Sequence, residues 1–295
     1  MMIDAAIDTL ASRHARIARL RDVVVVVKVG GSIQDDSTQM RQVMRDVAAL
    51  SALGALPVIV HGGGKAISAA MTAAGLQARF VQGQRYTDEA TLAIVERVLV
   101  RHVNSELCSL LGEEGAAPYP LHSLGSCVLF GERTGTDQSP GRPSEDLGLV
   151  GRITRVAAPV IRGLTLQRFV PVIAPVALTG DGAAKLNVNA DLAAGAIAAA
   201  LRAPVFMLVS DTTGVRTAPD PAAPHAPSLS KAQVESLSAA GIIAGGMLPK
   251  LNACFEAIRG GSAAVSIIDG RQPRTILSAA LAEPGEPIAG TWVVA

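Results

Sequence analysis

Val23-Val24-Val25-Val26-Val27-Lys28-Val29-Gly30-Gly31-Ser32 is the stretch from which the fold is read. Its uninterrupted β-branched run predicts a strand over 23–27 that is buried on both faces. Glycines then turn the chain, and apolar residues at helical spacing predict a helix over about 40–53. The same grammar follows immediately: strand at 57–60, turn at His61-Gly62-Gly63-Gly64-Lys65, helix at 66–74. Two strand–glycine turn–helix units in succession predict an α/β fold, a three-layer αβα sandwich around a mainly parallel sheet.

Working outward, Ile7, Leu10, Ile17 and Leu20 recur at helical intervals and predict an amphipathic helix over 3–20. A loop or short hairpin is expected at 80–87 and a helix at 88–111. Short strands are expected at 126–130 and 150–156, separated by a polar Gly/Pro loop over 131–146. A buried strand at 169–176, a polar turn at 179–189 and a helix at 190–201 come next. The remainder reads as a strand at 205–209, a helix at 230–239, a helix from Lys250 to Ile258 and a strand at 264–268. A terminal strand pair is expected at 276–280 and 291–294. The expected division is an N-terminal lobe over 1–174 and a C-terminal lobe over 175–295, sharing one sheet as one continuous structural domain.

Composition narrows the function classes. Of 295 residues, 49% are hydrophobic and 17% charged, which excludes general disorder. Twenty-six basic and 25 acidic residues give a formal charge of +1, so no bulk field favours nucleic acid or an anionic membrane. The apolar stretch 192–200 is too short to span a bilayer. Cys108, Cys127 and Cys254 lack metal-ligand spacing and form no disulfide framework. Asp4 and Asp8 precede the basic cluster Arg13–Arg21 without an apolar segment, so no signal peptide is expected and a cytoplasmic location is.

The glycine turns carry the chemistry. Gly30-Gly31 and Gly62-Gly63-Gly64 each follow an apolar strand and precede a helix, where backbone N–H groups and a helix N-terminus can surround an anion. Neither has the G-x-G-x-x-G or G-x-x-x-x-G-K-[ST] pattern, which disfavours a nicotinamide cofactor and an ordinary P-loop. The chain has only five lysines, at 28, 65, 185, 231 and 250. Lys28 ends the valine run, where its ammonium either snorkels to solvent or contacts a phosphate. Lys250 has the same placement after Gly245-Gly246-Met247, and two converging cations would neutralise a transferring phosphoryl group. Asn187-Val188-Asn189-Ala190-Asp191 offers more polar groups than one helix cap requires. The surplus suits hydrogen bonds to an amide and carboxylate substrate, with Asp191 placed against the lysines and Asp211 beside a nucleotide. Arg85 is either solvated or a bidentate carboxylate clamp. Thr87 or Asp88 is the expected cap of the following helix, His61 is expected to satisfy its own turn, and Met247 to pack.

These stretches, with Asp146–Gly151, Pro171–Pro175, Ser210–Val215 and Ile268-Asp269-Gly270-Arg271, occur in an order that resembles the amino acid kinase family over nearly the whole chain. The resemblance implies the carbamate kinase-like fold and phosphoryl transfer from ATP, with Mg2+ carried by the nucleotide. The implied acceptor is N-acetyl-L-glutamate, giving N-acetyl-L-glutamyl 5-phosphate and ADP, the second step of arginine and ornithine biosynthesis. In that pattern Lys28 and Lys250 act on the transferring group and Asp191 organises both. Gly63, Gly64, Arg85 and Asn187 hold the acyl amino acid. Gly30, Gly31, Ser210, Asp211, Gly214, Val215, Gly245, Gly246 and Met247 line the nucleotide site. Val29, Lys65 and Tyr86 depart from the residues common in the family. An acylated or carrier-linked L-2-aminoadipate is therefore the alternative acceptor, and a non-catalytic metabolite sensor the alternative class. A homodimer, or a hexamer of three dimers joined through the N-terminal helix, is implied. Arg274 and a long tail point to weak or absent inhibition by arginine.

Overall fold

The computed structural model describes residues 11–31, 33, 36–81, 83–134, 146–220 and 223–295. Residues 11–18 are helical (α1), while the first part of the helix expected over 3–20 lies outside the described residues. Strand β1 (Val24–Val29) is buried throughout, as its valine run requires, and extends past the expected end to include Lys28. Helix α2 (Ser37–Ala52) starts where Asp36 accepts from Thr38 N and Gln39 N. Strand β2 (Leu56–His61), helix α3 (Gly64–Ala73) and the hairpin β3 (Phe80–Val81)–β4 (Gln84–Arg85) follow.

Asp88 caps α4 (Glu89–Glu96), which runs through a π-helical segment, Arg97–Asn104, into α5 (Ser105–Glu113). Strands β5 (Ala117–Leu121), β6 (Leu129–Arg133) and β7 (Val150–Val156) precede α6 (Ala158–Leu166). Most of the loop expected over 131–146, residues 135–145, lies outside the described residues. The second half runs β8 (Phe169–Ile173), β9 (Val176–Thr179), β10 (Lys185–Val188), α7 (Ala190–Leu201), β11 (Val205–Ser210) and β12 (Ser228–Leu229). It ends with α8 (Lys231–Ala239), α9 (Met247–Arg259), β13 (Ala264–Asp269), α10 (Thr275–Leu281) and β14 (Gly290–Val293).

Eight strands form one sheet in the order β12-β14-β13-β11-β1-β2-β8-β5. Every pairing is parallel except β13 with β14. Strand β1 lies inside it, between β11 and β2. Its alternation divides the core: Val25, Val27 and Val29 join α2, α5 and α10, whereas Val24 and Val26 join α6, α7 and α9. This produces the αβα sandwich. The two-residue period also assigns Lys28 to the face of Val24 and Val26, under α7 and α9. Strands β10, β7, β6 and β9 close on themselves as a smaller sheet.

Four elements differ from expectation. The strand expected at 169–176 divides at Ala174-Pro175, because proline has no N–H to continue the ladder, and β9 leaves for the small sheet. The turn expected at 179–189 contains β10, which pairs with β9 and β7. Strand β5 was not expected, since it carries Pro118 and Pro120; it sits at a sheet edge, where a missing donor is tolerated. Residues 276–280 are helical rather than extended. The buried Asp46 carboxylate on α2 accepts from Ile276 N and Leu277 N and satisfies the first turn of α10 from a distance in sequence. No helix among the described residues is long and apolar enough to cross a membrane.

Candidate active site

The site begins where parallel strands end. Gly30 N donates to Val209 O and Gly62 N to Val29 O, tying the turns after β1 and β2 to the strand ends beside them. A Cβ on Gly31 would stand 3.3 Å from Gly64 N and 3.7 Å from Gly63 N, so backbone meets backbone. Gly63 is required for another reason: a Cβ there would lie 2.6 Å from Leu99 Cδ2 on the π-helical segment. N–H groups at the head of α3 therefore sit beside the turn that follows Lys28.

Lys28 does not snorkel. It is buried, with Nζ 2.6 Å from Asp191 Oδ1, while Lys250 Nζ is 3.0 Å from Asp191 Oδ2. Asp191 lies in the first turn of α7 and Lys250 in the first turn of α9. Small residues bring those helices together: a Cβ on Gly195 would lie 2.7 Å from Ala253 O. The Ala-rich composition of α7 thus serves to place one carboxylate between two lysines. Burial pushes the Lys28 pKa down, against the pull of Asp191 and with the repulsion of Lys250. Burial alone would raise the Asp191 pKa, but the two lysines overcome it and hold the carboxyl below its usual range. Within the bridge two ammonium groups face one carboxylate, with Asp211 adding a weaker pull on Lys28, an arrangement suited to an anion rich in oxygen.

A cavity of about 580 Å³ opens beside this cluster. Of the expected site residues, Lys28, Gly31, Gly63, Gly64, Arg85, Asn187 and Asp191 line it. Arg85 is buried and donates to Gly64 O at 3.0 Å, Ser68 Oγ at 2.8 Å and Met71 Sδ at 3.2 Å. Among the described residues no carboxylate pairs with it, and burial lowers its pKa with no opposing anion. A buried guanidinium without a counter-charge is suited to pairing with a carboxylate. Asn187 Nδ2 donates to Thr87 Oγ1 at 3.0 Å, which leaves Asn187 Oδ1 to accept from an amide N–H.

A second hollow of about 360 Å³ is lined by Gly214, Val215 and Met247, together with Thr212, Thr213 and His225. Met247 also packs against the α7/α9 core, as expected. Gly30, Ser210, Asp211, Gly245, Gly246 and Lys250 line neither hollow. Gly30 is packed between β1 and β11, and the buried Ser210 ends β11 with its Oγ donating to Asp211 Oδ1 at 3.3 Å. Gly245 and Gly246 lead directly into α9, where Leu248 N donates to Gly245 O.

The sequence did not single out Ser68, Phe80, Asn104 or His225, and offered Thr87 only as a helix cap. Asp88 is the cap of α4, and Thr87 instead holds Asn187 and Arg85 O. Asn189, rather than Asp191, caps α7. Phe80 comes over the Arg85 guanidinium, at 4.8 Å from the ring centroid, only because β3 and β4 pair. Ser68 could have been found from its one-turn spacing to Gly64 on α3.

Comparisons with known proteins agree with this architecture. The model of the amino acid kinase family matches residues 23–269. The acetylglutamate kinase of Ruegeria sp. is 37% identical over 273 residues, covering 92% of this chain and 91% of that protein. The acetylglutamate kinase of Caldanaerobacter subterraneus is 39% identical over 261 residues, covering 88% and 85% respectively. Among solved structures, N-acetylglutamate synthase from Neisseria gonorrhoeae superposes with a TM-score of 0.82 at 19% identity. That match covers 98% of this chain and spans 63% of the synthase. Carbamate kinase from Giardia lamblia superposes with a TM-score of 0.63 at 16% identity. With the parallel sheet, its glycine turns and a family match over most of the sequence in agreement, the chain belongs to the amino acid kinase family.

Proposed function

We propose that this protein transfers the terminal phosphoryl group of MgATP to the side-chain carboxylate of N-acetyl-L-glutamate, giving N-acetyl-L-glutamyl 5-phosphate and ADP. The observation that carries the proposal is the Lys28–Asp191–Lys250 bridge, at 2.6 Å and 3.0 Å, whose Lys28 and Asp191 stand on the wall of the 580 Å³ cavity. The acceptor carboxylate is already ionised, so the reaction needs no general base. Asp191, held by two lysines below the usual carboxylate range, is suited to orienting them and not to taking a proton. An acceptor oxygen bonds to phosphorus, the bond from phosphorus to the bridging oxygen breaks, and ADP leaves with that electron pair. Lys28 serves the transferring group and Lys250 the nucleotide side, while N–H groups of Gly31, Gly63 and Gly64 face the developing charge. Arg85 takes the α-carboxylate and Asn187 Oδ1 accepts from the acyl amide.

In this reading residues 1–174 mainly hold the acyl amino acid, with Asn187 reaching in from the second half. Residues 175–295 hold the nucleotide, with its base directed to the hollow at Thr212–Val215 and Met247. An ATP-dependent biosynthetic step belongs in the cytoplasm, where we place it. ADP release by the purified protein with MgATP, measured against N-acetylglutamate and acylated aminoadipate, tests the proposal. Faster turnover of N-acetylglutamate is expected. A preference for the longer acid would change the acceptor, and nucleotide binding without turnover of either would make the protein a sensor.

A further inference from the structure

His61 is wholly buried at the end of β2, directly before the glycine turn, and the reaction described above gives it no task. Its surroundings fix its protonation. Asn104, the last residue of the π-helical segment, sends Nδ2 to Val172 O at 2.9 Å and to His61 Nε2 at 3.0 Å. A backbone carbonyl can only accept, so the group facing Val172 is the NH2 end of the amide. The same nitrogen therefore donates to His61 Nε2, which must be the bare acceptor. The ring proton then resides on Nδ1, which lies 3.0 Å from Gly62 O, again an acceptor only. Every polar atom in this chain of contacts has one consistent assignment. Burial keeps the ring neutral, with its pKa lowered to about 4.

The consequence lies on the other side of a peptide plane. In a trans peptide the C=O of Gly62 and the N–H of Gly63 point in opposite directions. Drawing Gly62 O onto the imidazole turns Gly63 N–H away from His61, and Gly63 N lies against Gly31, 3.7 Å from the place of a Gly31 Cβ. Gly31, Gly63 and Lys28 share the wall of the larger cavity. Among the described residues no group accepts from Gly63 N–H. The π-helical segment closes the arrangement from behind, since Leu99 packs on Gly63 from the same segment that supplies Asn104. Such segments occur often at functional sites because the wider turn re-aims side chains.

We infer that His61, with its tautomer set by Asn104, is a positioning residue that aims the Gly63 N–H at the transferring phosphoryl group. The inference rests on the phosphoryl-transfer reading given above. A donor aimed where charge develops acts on the transition state, so misaiming it lowers kcat and leaves substrate binding largely intact. His61→Phe keeps a ring of similar size but cannot donate to Gly62 O. It is expected to lower kcat by about tenfold or more, with KM for MgATP and for the acyl amino acid within about twofold of the parent. Asn104→Leu, which leaves the tautomer unspecified, should act in the same direction. His61→Asn restores a donor close to the place of Nδ1 and should recover most of the lost kcat, which mere packing would not do.

The parent protein also tests the assignment directly. Nitrogen-15 NMR of the histidine rings at pH 7 should show His61 with Nδ1 protonated and Nε2 bare. A His61 found as the Nε2–H tautomer overturns the inference, as does a folded His61→Phe with unchanged kcat. If the parent turns over neither acyl amino acid, the kinase reading fails and the catalytic part of the inference falls with it. The tautomer, and the Gly63 amide shift in His61→Asn, then decide whether His61 sets the turn at all.

Discussion

Lys28 is an ammonium on an otherwise apolar strand, and what it pairs with decides whether that placement is tolerable. Asp191 supplies the counter-charge, and Lys250 shares it. Lys28→Ala and Lys250→Ala remove charge that matters during transfer, and each should lower kcat by about 100-fold or more in steady-state assays. In the proposed reaction Arg85 holds a carboxylate that is present before and after transfer. Arg85→Ala should raise KM for the acyl amino acid and leave that for MgATP nearly unchanged. Asp191→Asn keeps the size of the bridge and removes its charge, which separates the supporting role from packing. His61 predicts a pH effect on stability. Its folded pKa of about 4 lies below the ordinary 6.5, so its contribution is complete above pH 6.5 and is lost as pH falls toward 4. Between pH 7 and pH 5 the loss is about 2 kcal/mol. Urea unfolding at those two pH values should show a smaller difference in His61→Asn than in the parent.

Helices α7 and α9 matter for how closely they meet. Gly195 and Ala253 let the backbones approach, and that approach sets Asp191 within reach of Lys250. Gly195→Val inserts a side chain where a Cβ alone would already be 2.7 Å from Ala253 O. Overpacking of this kind destabilises by about 1–3 kcal/mol, a fall of several degrees in Tm. Protein that remains folded should also lose kcat, since the helices part at the end that carries the bridge. Calorimetry with parallel rate measurements checks both. A Gly195→Val protein with unchanged Tm would mean that the helices can separate freely.

Across the whole molecule, α1 meets the segment around the end of α10. Arg16 on α1 forms a bidentate pair with Glu286 at 2.6 Å and 2.7 Å and also donates to Leu281 O, while Arg19 pairs with Glu283. Glu286 is thereby held at a pKa of about 2. Arg274 at the head of α10 adds a positive charge before this long tail, and we expect weak or no inhibition by arginine in initial-rate assays. Strong inhibition would overturn that expectation. Tyr119 on the edge strand β5, and Val160 and Leu166 on α6, are exposed, and we expect these apolar residues to favour a two-fold partner. Light scattering at micromolar protein should give at least a dimer; a monomeric mass throughout would contradict this.

Much of the architecture is local in origin and so was legible in the chain. A run of valines cannot be solvated on either face, glycines after it must turn, and a period of two sends Lys28 to the side of Val24 and Val26. Those facts determined the parallel sandwich, the two glycine turns and the face of the sheet on which Lys28 lies. Elements whose stability comes from elsewhere were not legible. Helix α10 depends on Asp46, more than two hundred residues away, to satisfy its first turn. Strand β5 exists because β8 offers it an edge, despite two prolines. The division of 169–176 follows from which sheet each half joins. In the site, Arg85 acquired meaning only when folding buried it without an anion, and His61 only when the π-helical segment brought Asn104 to its ring. Sequence determines which side chains can bear charge or turn the backbone; which of them lose water together, and what each then faces, is decided by tertiary packing.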